Sequence, residues 1–289
     1  MWSSNKIIVF DMDETLGYFV ELGMFWDALQ YFYKNRIMTN INMNYIMSNE
    51  HFNKVLDLFP EFLRPDIIKI LKYVVYKKNN KQCDKILIYT NNQAPKQWAL
   101  YISSYFEYIF NNPVFDMVIG AYKVNGTQIE LDRTTHDKTM DDLDICAKLH
   151  KHTDICFIDD QYHPYMYNER VYYINVKPYV YSLKYEEMAE RYYDAFNDSL
   201  LKTNMNIIDK NYFINEITGF MNNYKYTITK KNKKDLNVDK YISKQILSHL
   251  KYFFKDSIHN KTIKKIKKMS NSKKKKMSNS KKNVNIHHN

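Results

Sequence analysis

Short runs of apolar residues, rich in β-branched side chains, alternate with helical patterns along roughly the first 180 residues. No other feature narrows the possible folds as much. The runs are Lys6–Phe10, Lys85–Thr90, Asp116–Ala121, Asp154–Ile158 and Val171–Val176. Most are continuous rather than alternating in polarity, the pattern of strands buried on both faces of a parallel sheet. Between them, Pro65–Lys77 sets Ile67, Ile68, Leu71, Val74 and Val75 along one stripe, and Pro95–Phe110 and Lys138–His150 also read as helices. Pro65 and Pro95 suit a first helical turn, where a missing N–H costs nothing, and Asp137 suits the cap of the third helix. Strands alternating with helices predict an α/β fold: a parallel, Rossmann-like sheet with right-handed crossovers and helices on its faces.

Two stretches depart from that plan. Residues 18–60 separate the first strand from its crossover helix and read as a short helical insertion, placed to act as a partial cap. Val124-Asn125-Gly126-Thr127 carries the Asn-Gly signal of a type I′ turn, which predicts a small β-hairpin after the third strand. The strands stop near residue 183. Leu183–Leu201, Ile207–Tyr224 and Val238–Phe254 are amphipathic, so residues 184–258 are expected to form a helical extension of a domain spanning 1–183. From 259 to 289 the pattern fails. The segment Lys-Lys-Met-Ser-Asn-Ser-Lys-Lys occurs at 267–274 and again at 275–282, and this tail is expected to be disordered.

Charge is divided in the same way. Of 43 basic and 32 acidic residues, 13 lysines and a single acid, Asp256, fall in residues 251–289. Residues 1–250 are left with 30 basic and 31 acidic side chains, so the basic character belongs to the C-terminal end. Such a tail suits nonspecific contact with nucleic acid, nuclear localisation, docking to an acidic partner, or no role beyond solvation. The three cysteines, Cys83, Cys146 and Cys156, have no metal-ligand spacing and fit free thiols in a reducing compartment. With no apolar run long enough to span a bilayer and no signal-peptide pattern, the expectation is an intracellular, cytoplasmic protein that makes no membrane contact.

The strongest chemical signal is Asp11-Met12-Asp13-Glu14-Thr15, directly after the first strand. Carboxylates at i and i+2 of a strand end can both face the crevice at the carboxyl edge of the sheet. Packing them together is costly unless a cation neutralises them, and Mg²⁺ favours such hard oxygen ligands together with a substrate phosphate. One carboxylate could then attack phosphorus while the other protonates the leaving oxygen. A plain acidic surface turn is the alternative.

The stretch Asp11–Leu16 resembles the nucleophile motif of the haloacid dehalogenase (HAD) superfamily, and further HAD-like elements follow in order. The second strand run ends in Thr90-Asn91-Asn92, Lys138 opens the helix after the hairpin, and the fourth run leads into Asp159-Asp160. A narrower resemblance, over about residues 5–180, is to the FCP/SCP-type (NLI-interacting-factor-like) phosphatases of the RNA polymerase II C-terminal domain. It rests on Asp-Met-Asp-Glu-Thr-Leu at 11–16, Arg64-Pro65 before the crossover helix, Ile88-Tyr89-Thr90 and Asp159-Asp160. The chain departs from that group in having Thr139-Met140 after Lys138 and two extra residues before Pro164.

The resemblance implies a Mg²⁺-dependent phosphatase. Asp11 would be nucleophile and metal ligand. Asp13 would be general acid, then base, with its backbone carbonyl on the metal. Thr90 would bind phosphate together with Thr15 and Asn91, Lys138 would stabilise phosphoryl charge, and Asp159 and Asp160 would complete the metal shell. Its substrate is expected to be a phosphoprotein carrying phosphoserine or phosphothreonine. The alternatives are polynucleotide ends held by the basic tail, or a catalytically idle scaffold that binds nucleic acid or protein. Arg64 lies near the site if the resemblance extends that far. His136, His150, His152 and His163 read as solvated or capping side chains, and Tyr162–Tyr181 as core and rim packing or the lining of a groove.

Overall fold

A computed structural model of the protein describes residues 5–35, 42–201, 208–228 and 231–255. The lysine-rich repeat and the rest of the tail lie outside the described residues. The strands are β1 (Lys6–Phe10), β2 (Lys85–Tyr89), β3 (Met117–Ile119), the hairpin pair β4 (Lys123–Val124) and β5 (Thr127–Gln128), β6 (Asp154–Asp159) and β7 (Val171–Asn175). The helices are α1 (Val20–Asn35), α2 (Met43–Ile46), α3 (Asn49–Asp57), α4 (Ile67–Asn79), α5 (Lys96–Phe110), α6 (Met140–Ala147), α7 (Tyr185–Phe196), α8 (Lys210–Asn222) and α9 (Lys233–Lys255).

The main sheet has five parallel strands in the order β3-β2-β1-β6-β7, so the fold is α/β and Rossmann-like, as the strand pattern predicts. The chain runs outward from β1 through β2 to β3, then returns to place β6 on the other side of β1. The loops leaving β1 and β6 therefore diverge and open a crevice at their carboxyl ends. Successive residues of β1 face opposite sides. Ile8 and Phe10 enter the larger core with Ile86, Ile88, Cys156 and Ile158, while Ile7 and Val9 pack with Leu87, Phe157 and the α6 residues Met140 and Leu143. That two-sided burial is why the strands read as unbroken apolar runs.

The larger core also takes Phe25 and Leu29 of α1, Phe52 of α3, Ile70 of α4, Ile102 of α5, Met188 of α7, Phe213 of α8 and Leu250 of α9. The helices after residue 183 thus pack into the same apolar body as the sheet. Burying one such side chain contributes about 1.5–3 kcal/mol. The hairpin turns at Asn125 (φ 48°) and Gly126 (φ 79°), both left-handed as a type I′ turn requires. Cys83, Cys146 and Cys156 are buried and not joined in disulfides. Among the described residues no helix is long and apolar enough to cross a membrane.

Helix starts differ from the sequence reading. Thr139, not Asp137, caps α6: its side chain accepts from Asp142 N, and Lys138 lies just before the cap. Both residue types cap well, and the extended backbone at Thr139 decides between them. Pro65 precedes α4, whose cap Asp66 is left-handed (φ 59°), and Pro95 is itself the cap residue of α5. α9 begins at Lys233, before the expected Val238.

Candidate active site

The crevice at the carboxyl edge is a cleft of about 170 Å³. Asp11, Asp13, Thr90, Asn91, Lys138, Asp159 and Asp160 all line it, so residues spread over 150 positions converge there. Each follows a strand or precedes a helix. Asp11 leaves β1 with its N–H still paired to Ile158 O (2.9 Å), and Thr90 leaves β2 with its N–H on Ile119 O (3.0 Å). Asp159 is the last residue of β6.

Lys138 is the pivot. Its buried ammonium donates to Asp11 Oδ1 (2.5 Å) and Asp159 Oδ2 (2.7 Å). Burial alone would lower its pKa, but the two carboxylates raise it above the ordinary lysine value. Burial, with Asp159 and Asp13 close by, pushes Asp11 up to about 8 against the pull of Lys138. Asp159 behaves differently: despite its burial, His163 and Lys138 hold it below the usual carboxylate range. Asp160 is raised by burial and by Asp159.

Carboxylate oxygens of Asp11, Asp159 and Asp160 lie within 4.8 Å of one another, so this cluster can bind a metal ion. Five carboxylates, Asp11, Asp13, Glu14, Asp159 and Asp160, share the cleft with one lysine. A cation would relieve that excess, and the donor set of hard oxygens suits one. The Asp13 carboxylate stands outside the cluster, and its Oδ2 accepts from Asn92 Nδ2 (2.7 Å). Burial raises its pKa, with Asn92 opposing.

Thr15 does not line the cleft. It is fully buried, its hydroxyl donates to Asp160 Oδ1 (3.2 Å) and accepts from Asp160 N (3.1 Å), and so it positions Asp160 rather than contacting a bound phosphate. Among the described residues of 18–60 none lines the acidic cleft; α3 packs on α5 and α1 on α8. No tyrosine of 162–181 lines it either.

Several side chains the sequence did not single out complete the site. His163 lines the cleft with Nε2 3.3 Å from Asp159 Oδ2, so it is not a solvated histidine. Asn92, adjacent to the expected Asn91, orients Asp13. Arg133 is buried and donates to Thr90 O (3.2 Å), Gly120 O (2.8 Å), His136 O (3.2 Å) and Asp137 O (2.9 Å). It thereby ties the ends of β2 and β3 to the loop that delivers Lys138. Arg64 does the same for the Asp11–Thr15 turn. Its Nε donates to Thr15 O (2.6 Å), and its terminal nitrogen donates to Glu14 O and to Lys177 O (3.0 Å). That turn places Glu14 in the left-handed region (φ 57°). It closes at Gly17, where an added Cβ would lie 2.5 Å from both the Phe19 ring and Phe62 O, so only glycine fits without displacing backbone. Neither Arg133 nor Gly17 belongs to a sequence pattern, whereas Arg64 stands in the Arg64-Pro65 pair.

Comparison with protein-family models, with curated proteins and with solved structures found no match.

Proposed function

We propose that this protein is a Mg²⁺-dependent phosphomonoesterase of HAD type that works through a phosphorylated Asp11. The observation that carries the reading is the convergence of Asp11, Asp159 and Asp160 on one point, with Lys138 bonded to two of them. Asp11, Asp159 and Asp160 would hold the ion, which when bound neutralises charge on the cluster and on a substrate phosphate.

In this reading an Asp11 carboxylate oxygen attacks phosphorus, and the bond from phosphorus to the leaving oxygen breaks. Asp13, whose raised pKa suits a proton donor, gives its proton to that oxygen. Water then attacks the phospho-aspartate, Asp13 takes the proton back, and inorganic phosphate and free Asp11 are restored. Lys138 is placed to steady both the Asp11 oxygen and the charge of the transferring group, and Thr90 and Asn91 at the end of β2 are placed to receive phosphate oxygens. In this reading the cleft receives the phosphate group of the substrate.

The test is hydrolysis of a generic aryl phosphate by the full-length protein with Mg²⁺, with EDTA, and in the Asp11→Asn variant. The expected result is Mg²⁺-dependent turnover that falls by about 10⁴-fold or more in the variant. A folded, Mg²⁺-loaded protein that turns over neither aryl phosphate, phosphopeptides nor phosphorylated oligonucleotides would favour the idle scaffold instead.

A further inference from the structure

A second, larger cavity of about 580 Å³ adjoins the acidic cleft. Asp13 and Asn92 belong to the walls of both. The aromatic part of its wall is built by Phe19 and Trp26 from the start of the insertion, Trp98 and Tyr101 from α5, and Tyr224 and Tyr226 after α8. The insertion therefore shapes the neighbour of the cleft.

We propose that this cavity seats the leaving group of the substrate, and that the substrate is a small phosphomonoester whose alcohol carries a flat aromatic body. The inference rests on the phosphatase reading in one respect: Asp13 protonates the leaving oxygen, so the leaving group departs on the Asp13 side. That side opens into the aromatic cavity. Rings in its wall favour a flat apolar occupant, which they can contact by face and edge. The volume falls within the range of small-molecule sites and exceeds what a single amino-acid side chain fills. Among the described residues no lysine or arginine lines the cavity, while Asp13 and Asp27 do, so among them a second phosphate, as in a polynucleotide, would meet negative charge. Gly23 of α1 leaves the space open: a Cβ there would meet only the Trp98 ring, at 3.5–4.0 Å.

The experiment compares 2-phenylethyl phosphate with ethyl phosphate, whose leaving alcohols have similar acidity, on the full-length protein with Mg²⁺. A phosphotyrosyl peptide is the third substrate, with phenyl phosphate as its reference. The expected kcat/KM ratio of phenylethyl to ethyl ester is about 30-fold or more, the gain from burying a phenyl ring. Gly23→Leu would plug the cavity while improving helix propensity, and should bring the ratio below about threefold. A wild-type ratio below about threefold, or one untouched by Gly23→Leu, would overturn the proposal. So would a phosphotyrosyl peptide preferred over phenyl phosphate, whose leaving phenol matches tyrosine in acidity, which would make the occupant a protein side chain.

Calorimetric binding of the same two esters to Asp11→Asn separates this proposal from the phosphatase reading, because it needs no turnover. Tighter binding of the phenylethyl ester without turnover in the wild type would sink the phosphatase reading and keep the cavity assignment. Equal binding of the two esters would sink the cavity assignment, whatever the turnover.

Discussion

At the carboxyl edge of the sheet, five carboxylates share a cleft with one lysine, and buried arginines grip the carbonyls of the loops that carry them. In the helical layer beside it, Phe25, Phe52, Phe59 and Trp26 pack ring against ring. A polar chain runs through it, in which His51 Nδ1 meets Ile46 O (2.8 Å), His51 Nε2 meets Tyr192 Oη (3.0 Å), and Tyr192 meets Tyr33 (3.0 Å). Since a carbonyl only accepts, Nδ1 carries the proton and Nε2 accepts from Tyr192. The edge is organised by charge and by backbone anchors, and its arrangement answers to a ligand. The layer is organised by shape, and its arrangement answers to stability and to the cavity it walls.

That contrast can be broken at several points. Asp13→Asn should cut turnover by about 10²–10⁴-fold with little change in the urea midpoint, because in the proposed mechanism the position does chemistry rather than packing. A large loss of stability would blur the distinction. Arg133→Met removes a buried cation bonded to four carbonyls and should cost about 3 kcal/mol in chemical denaturation, together with turnover, since the Lys138 loop loses its anchor. Turnover lost at unchanged stability would make its effect purely local.

Mg²⁺ sharpens the contrast from the other side. At 100 times its dissociation constant it should stabilise the wild type by about 2.7 kcal/mol, read as a rise in melting temperature, and Asp160→Asn should reduce that rise. No rise would remove the cation from the account.

The smallest expected effect lies in the helical layer. Burial lowers the pKa of His51, with the Ile46 carbonyl opposing. Its folded value is below the unfolded value of about 6.5, so its contribution is fully present above that pH and is lost as pH falls below it, by up to about 1.4 kcal/mol per pH unit. Denaturation midpoints at pH 7.5 and 5.5 should diverge more for the wild type than for His51→Gln, with turnover on the acidic side governed separately. Equal divergence in the two proteins would remove His51 as the sensitive group.

The edge was far more legible in the sequence than the layer. Asp11, Thr90 and Asp159 stand at the ends of apolar runs, and a strand end in a parallel sheet points to the crevice, so strand and site are read together. Arg133 and His163 escaped because their partners are reached only in space; Arg133 grips carbonyls, which every residue possesses. Thr15 sits within the motif yet turns to Asp160, a direction that spacing does not encode. The aromatic cavity draws on residues near 19–26, 98–101 and 224–226, and the wealth of Tyr and Phe elsewhere conceals those few.

The most direct test of the central claim is the phosphoenzyme itself. The Asp13→Asn protein is mixed with an aryl phosphate and Mg²⁺, quenched in acid during turnover, and analysed by mass spectrometry of intact chain and peptides. The account predicts one added phosphate per chain, located on Asp11 and absent with EDTA. Phosphate on another residue, or turnover in the wild type with no phosphorylated chain in either protein, would contradict it.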